Sequence, residues 1–191
     1  MARKFSPHSA ELSINPCKNK RCKSCGLYLN QFPVLDNNKR KSNVFWVGLS
    51  AIQFENHEAK EPLAAHTPTG SLIHRIEESF KNEITFYKTN LVKCVPMKDN
   101  KIRYPLEHEM EKCYPNLESE LNELTPTVVF LLGKQVATFV LKKHSIKKYS
   151  LSESFDYECF DIGGAVFVPI HHPSFVLVDR KSTRLNSSHV D

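Results

Sequence analysis

The stretch VVFLLGKQVATFVLKK, residues 128–143, decides the fold. Five consecutive apolar residues, Val128 to Leu132, leave no face for water, the pattern of a central parallel strand covered on both sides. A glycine follows at once, and the spacing then predicts a helix over 134–143. Strand, glycine turn and helix in that order make one unit of an α/β layer fold.

The flanking segments repeat the alternation. VFWVG (44–48) is a short apolar run ending in Gly and reads as a buried strand. TGSLIHRIEESF (69–80) sets Leu72, Ile73, Ile76 and Phe80 on one helical face, and ITFYKTNLV (84–92) reads as a second strand. PLEHEMEKCYPNLESELNEL (105–124) carries an apolar stripe of Leu106, Met110, Cys113, Leu117, Leu121 and Leu124, with Pro105 suited to the first turn. Pro115 falls inside this stripe and predicts a kink or break near Cys113. AVFVPI (165–170) is the last strand. The order predicts a three-layer α/β/α sandwich around a central four-stranded parallel sheet.

The 191 residues suit one domain, taken as 1–181: a cysteine-bearing segment at 17–43, closed by the polar connector NNKRKSN (37–43), and an α/β body at 44–181. KSTRLNSSHVD (181–191) has no period and resembles adapter read-through, so residues 182–191 are set apart as a non-native tail. The 40% hydrophobic and 25% charged content is that of a soluble globular chain, and a monomer is expected. No apolar run approaches the ~20 residues of a membrane span. MARKFSPHSAELS lacks the apolar core of a signal peptide, which predicts a cytoplasmic protein. In that reducing compartment six cysteines are metal ligands or core thiols rather than a disulfide framework. A net charge of +5 permits a polyanionic partner without requiring one. CKSC (22–25) alone fits a zinc half-site, a redox pair or an iron–sulfur half-site.

In parallel α/β sheets ligands bind beyond the carboxyl ends of the strands. Four strings stand there: GLSA after the first strand, TNLVKC at the second, GKQ after the third and HHPS after the fourth. Together with EKCYPNLESEL they carry a resemblance to the uracil-DNA glycosylase superfamily, nearest its iron–sulfur (family 4 and 5) members. VFWVGLSAIQFEN resembles the first motif, YKTNLVKC the Asn-x-x-Lys-Cys segment, EKCYPNLESEL the Cys-x-Pro-x-Leu helix, TPTVVFLLGKQVA the third strand and HHPSF the His-Pro-Ser motif. The strings run in family order from about Cys22 to Arg180.

The resemblance implies a 4Fe–4S cluster on Cys22, Cys25, Cys94 and Cys113, in a structural role, with Leu27 also in its family place. Zinc on the same four thiolates is the alternative, and Cys17 could replace one ligand. A core thiol is the other reading of Cys113, and Cys159 is expected in the core. Asn90 would hydrogen-bond the Watson–Crick edge of a flipped base, an amide offering donor and acceptor side by side, although a turn-forming Asn is the bland reading. His172 would stabilise negative charge as the glycosidic bond breaks. His171, Pro173 and Ser174 would press on DNA, with Arg180 only an approximate match. Gly48, Leu49 and Ala51 would form a turn whose N–H groups face the base.

The departures concern the first motif. Leu49 stands where family 4 has Glu, and Ser50 where classical members carry a catalytic Asp; Ser can orient a water but is no strong base. Glu55 and Gln53 are candidates to position that water, a solvated loop charge being the other reading of Glu55. Leu63 replaces the Phe that stacks on uracil, which removes a flat surface and opens space. The implied function is a monofunctional DNA glycosylase acting on uracil or on a modified base, such as a hypermodified cytosine in phage DNA, the latter an antiviral role. The alternative is an inactive iron–sulfur nucleic-acid-binding module. A hydrolase of another class finds no Ser/His/Asp order and no phosphate-cradling glycine loop.

Overall fold

The computed structural model describes residues 22–36, 42–55, 60–151 and 154–177. Cys17, Arg180 and the tail 182–191 lie outside the described residues. Its principal sheet contains β1 (Val44–Ser50), β2 (Phe86–Val92), β5 (Val128–Leu132), β6 (Phe160–Ile162) and β7 (Ala165–Ile170), in the order β2-β1-β5-β7-β6. A two-stranded ribbon, β3 (Met97–Lys98) with β4 (Lys101–Ile102), stands apart from it. The four expected strands are parallel to one another, with Trp46 opposite Phe130 and Gly48 opposite Asn90. The expected four-stranded sheet is corrected to five: β6 adds antiparallel to the β7 edge. Three residues turning back through Gly163 and Gly164 are too short to show the apolar alternation by which a strand is read.

Strand alternation divides the core into two layers. Phe45, Val47, Tyr87, Leu91, Val129, Leu131 and Phe167 point to one face. There they meet α2 (Glu107–Leu124) through Leu117, Leu121 and Leu124, and α3 (Lys134–Lys143) through Val136, Ala137 and Val140. Val44, Trp46 and Leu132 point to the other face and meet Ile73 of α1 (Pro68–Phe80). Trp46 stacks on Phe130 (4.7 Å) and Phe86 (6.3 Å), cross-strand pairs that lock the register. This is the expected three-layer arrangement, with helices on both faces.

Two helices depart from expectation. In α1 only Ile73 of the expected face is fully buried, and Ile76 and Phe80 are exposed. The helix is anchored instead at its start, where the Thr67 hydroxyl accepts the Gly70 N–H at 3.0 Å and Pro68 takes the first turn. α2 runs unbroken through Pro115. Proline strips the donor from the Glu111 carbonyl, but both residues face solvent, and Cys113, Tyr114, Leu117 and Leu121 bind the helix to the sheet on either side. Leu106 precedes α2 as its N-cap and is exposed. Its N–H donates to the Glu109 carboxylate at 2.7 Å, which Arg103 grips with both arms at 2.8 and 2.6 Å. Cys159, expected in the core, is exposed, because it lies at the start of the β6 edge rather than under a helix.

Candidate active site

All four parallel strands end on the same side, so Gly48–Ser50, Asn90, Gly133 and His171–His172 converge there. A cavity of about 220 Å³ opens between them. Asn90 lines it near the end of β2, buried, with its side-chain oxygen lacking any hydrogen-bond partner. An unsatisfied buried amide oxygen costs about 1–3 kcal/mol, and such orphans mark places where a ligand supplies the partner. Gly48 is what admits it: a Cβ there would lie 2.3 Å from Asn90 Oδ1 and 3.0 Å from the Leu63 side chain.

Behind Asn90 stands Lys93, wholly buried. Its ammonium donates to the Asn90 carbonyl (2.7 Å), the Thr89 hydroxyl (2.6 Å) and the Glu120 carboxylate (2.7 Å). Three acceptors for three N–H donors satisfy the charge fully, which a buried lysine requires. The network ties the β2 end to α2 and so fixes the backbone that carries the amide.

His172 lines the opposite side of the cavity. Its Nδ1 accepts the Ser174 N–H at 3.3 Å and lies 2.7 Å from the Ser174 hydroxyl. Burial holds its pKa below the ordinary value. With Nδ1 an acceptor, the hydrogen-bond network assigns the neutral ring its proton on Nε2, a neutral donor rather than a cation. His171 turns away into a ring cluster, its Nδ1 3.1 Å from the Tyr157 hydroxyl.

The remaining wall comes from the segments after β1 and before α1. Of the residues singled out in the sequence, Gly48, Leu49, Ser50, Ala51 and Leu63 line the cavity. Gln53 and Glu55 do not; both side chains are exposed on the outer side of the loop. Six liners were missed: Ile52, Phe54, Glu61, Ala64, Thr67 and Thr69. Phe54 is buried and supplies an aromatic ring elsewhere on the wall from Leu63. Glu61 is the one carboxylate among the described lining residues and pairs with Lys88 at 3.6 Å. Ala64 completes the wall: a Cβ on Gly70 would lie 2.0 Å from its carbonyl oxygen, so glycine permits the loop to press on α1. A Phe three residues after a predicted site residue was a usable signal; Glu61, in the longer segment before Gly70, was not.

The cysteines meet at one corner of the main core. A 3-10 turn, Gly26–Leu29, buries Leu27 among Cys94 and Cys113, with Cys25 packed against them. Burial, then Cys113, Cys25 and Cys22, pushes the Cys94 thiol up to about 12. Cys25 is raised too, chiefly by burial, with Cys113 and Cys22 adding to it. Cys113 Sγ accepts the Lys93 backbone N–H at 3.3 Å, and Asn116 stands 3.8 Å away. Among the described residues no group of three or more His, Cys, Asp or Glu side chains is gathered tightly enough to enclose an ion. The donor chemistry nevertheless fits a four-thiolate group. All four are free thiols, and Cys25 and Cys94 are held in the neutral form by burial and by the opposition that neighbouring thiolates would present, which a bound cation would relieve.

Residues 34–190 match the family model described as the uracil DNA glycosylase superfamily. The chain belongs to that superfamily. The match extends into the tail set apart above. Among curated relatives, the type-4 uracil-DNA glycosylase of Saccharolobus solfataricus is 25% identical over 166 residues, covering 83% of this chain and 73% of its own. The type-4 enzyme of Thermotoga maritima is 27% identical over 167 residues, covering 85% and 81%. That of Archaeoglobus fulgidus is 27% identical over 163 residues, covering 82% and 78%. No described helix of this superfamily member is long and apolar enough to cross a membrane.

Proposed function

We propose that the chain is a monofunctional DNA glycosylase. It hydrolyses the N-glycosidic bond of a uracil nucleotide flipped into the 220 Å³ cavity, leaving an abasic site. The orphaned Oδ1 of Asn90 carries this reading. It is an acceptor waiting for a base-edge donor such as the N3–H of uracil, held by the Lys93 network against any shift.

Chemistry then follows from charge. The bond between the sugar C1′ and the base nitrogen breaks with its electron pair going to the base. The neutral Nε2–H of His172 and the N–H groups of the Gly48–Ala51 turn meet the negative charge that develops there. One such directed donor is typically worth ~3–4 kcal/mol. Water adds to C1′ on the opposite side, oriented by Ser50 and Glu61, and its proton passes to Glu61 or solvent. No lysine lines the cavity among the described residues, and Lys93 is fully engaged, which supports hydrolysis without a lyase step. Cys22, Cys25, Cys94 and Cys113 would hold a 4Fe–4S cluster, or zinc, in a structural role. Held there, it would fasten residues 22–34 to the body. DNA is the partner, with Pro173 and Ser174 on the loop beside the cavity.

A second substrate reading rests on Leu63. It stands at the wall where the family pattern has Phe, with φ +50, on a segment longer than the pattern. This would suit a bulkier modified base, such as a hypermodified phage cytosine; the ring of Phe54 favours uracil. Release of free base from uracil-containing DNA against modified phage DNA separates the two. Asn90→Ala and His172→Ala that abolish turnover while DNA binding persists support the enzyme. No base release from either DNA by metal-loaded protein would leave only the binding-module alternative.

A further inference from the structure

A second, wider concavity of about 930 Å³ adjoins the first, and His172 lines both. Three lysines line it: Lys134 at the start of α3, and Lys147 and Lys148 in the loop beyond. None of them pairs with a carboxylate among the described residues. On the other side of the same helix, Lys142 is paired with Glu107 at 3.1 Å and Lys143 with Glu111. Positive charge is thus neutralised away from the groove and left uncompensated within it. The Glu158 carboxylate accepts the Ser150 N–H at 3.1 Å. The floor is firm, because the Tyr149 hydroxyl donates to the Lys134 carbonyl at 2.8 Å and meets the Thr138 hydroxyl at 2.8 Å.

His171 and Phe175 line the groove beside His172, and Phe155 and Tyr157 pack against His171 from outside that lining. Phe175 lies flat on His171, centroids 4.7 Å apart and planes within 17°, and remains 48% exposed. Phe155, 42% exposed, meets His171 edge-on at 5.5 Å, and Tyr157 braces both. Two exposed phenyl groups on a braced cluster cost hydration unless something flat covers them. Uncompensated lysines beside an open aromatic face are the two elements by which proteins hold single-stranded nucleic acid.

We propose that this groove binds the strand flanking the excised nucleotide in single-stranded form, with an unpaired base stacked on the Phe155–Phe175 cluster and phosphates on Lys134, Lys147 and Lys148. The assignment rests on the glycosylase reading of the adjoining cavity, and it makes unpaired DNA the preferred substrate. Paired bases, stacked on their own neighbours, cannot present a free face to those rings.

The test is fluorescence anisotropy of the whole protein with labelled oligothymidine and with a duplex of equal length. Oligothymidine carries no uracil, so binding is read whether or not a base is excised. Tighter binding to the single strand is expected. Phe175→Ala and Phe155→Leu should each weaken it about tenfold, Phe155→Trp should not, and duplex binding should hardly change. Lys147→Glu and Lys148→Glu should each flatten the dependence of log affinity on log salt by about 0.7. Leu and Trp both keep the apolar volume at 155, and circular dichroism reports whether each variant is folded. Single-strand affinities within twofold of the parent in all variants, or an equal loss on the duplex, overturn the proposal. Absence of base release with these binding effects intact would instead sink the glycosylase reading.

Discussion

The ammonium of Lys93 lies 2.7 Å from the carbonyl oxygen of Asn90, and the same nitrogen is 2.7 Å from the Glu120 carboxylate. A buried charge therefore serves as the back-stop of the residue whose amide faces the cavity. Lys93→Met leaves Glu120 with a partly buried uncompensated charge, which costs about 3–5 kcal/mol. The expected result is a large fall in Tm together with a loss of base release. Lys93→Met combined with Glu120→Met removes both charges and should recover much of the Tm. Single-turnover base release should stay low in the double variant, because the Asn90 carbonyl still lacks its donor. Recovery of both together would show that Lys93 matters to stability alone.

Gly48→Ala tests the close approach of β1 to Asn90. The added methyl, 2.3 Å from Oδ1, must displace the amide or Leu63. Base release should fall about a hundredfold or more, in the range for loss of one directed hydrogen bond to the reacting base, while the buried strand keeps the fold. Unchanged kcat/KM would mean that the amide position is not critical.

His172 predicts the acid side of the pH profile. Burial lowers its pKa below the ordinary 6.5, so the folded protein favours the neutral ring. Its contribution to stability is constant above pH 6.5 and is lost as pH falls through the lower folded value. The acid limb of kcat/KM should accordingly lie below pH 6.5, and His172→Gln should lower the rate and abolish that limb. A limb that survives in His172→Gln belongs to another group.

Gln31 couples the cysteine segment to the cavity. Its amide donates to the Ile52 carbonyl at 2.9 Å and accepts the Phe54 N–H at 3.0 Å. Gln31→Ala removes both bonds, each worth about 1 kcal/mol. A rise in KM with a smaller change in kcat is expected, since Phe54 lines the cavity proposed to hold the base.

Removal of metal from the cysteines should act through the same segment. Cys25→Ser or Cys94→Ser should lose visible-region absorbance and bound iron. Limited proteolysis should then cut between residues 22 and 34, because only Leu27, Val34 and a few hydrogen bonds would hold them. Bound zinc without absorbance would identify the other four-thiolate group.

Much of this was legible in the chain because the signals are local. Val128–Leu132 declares a buried strand by itself, and parallel strands put GLSA, TNLVKC, GKQ and HHPS at one edge without further knowledge. What escaped depends on context. Pro115 breaks helices unless its lost bond faces water, and only packing reveals that it does. Glu55 and Glu61 are equally plausible loop acids; the fold of the segment before Thr67 turns one into the cavity and the other out. Lys93 reads as a surface charge until Glu120, far along the chain, is brought to it.

The wall bearing Phe54, Glu61, Leu63 and Ala64 is carried on one continuous segment, fixed at one end where the Ala51 N–H meets the Val92 carbonyl at 3.1 Å and at the other by the Thr67 cap and Gly70. Asn90 is mounted on β2, and His172 stands two residues beyond the end of β7. Much of the cavity wall is thereby placed on a different part of the gene from Asn90 and His172, so substitutions at Phe54, Leu63 or Ala64 can reshape the cavity while the two strands that bring Asn90 and His172 to it stay as they are.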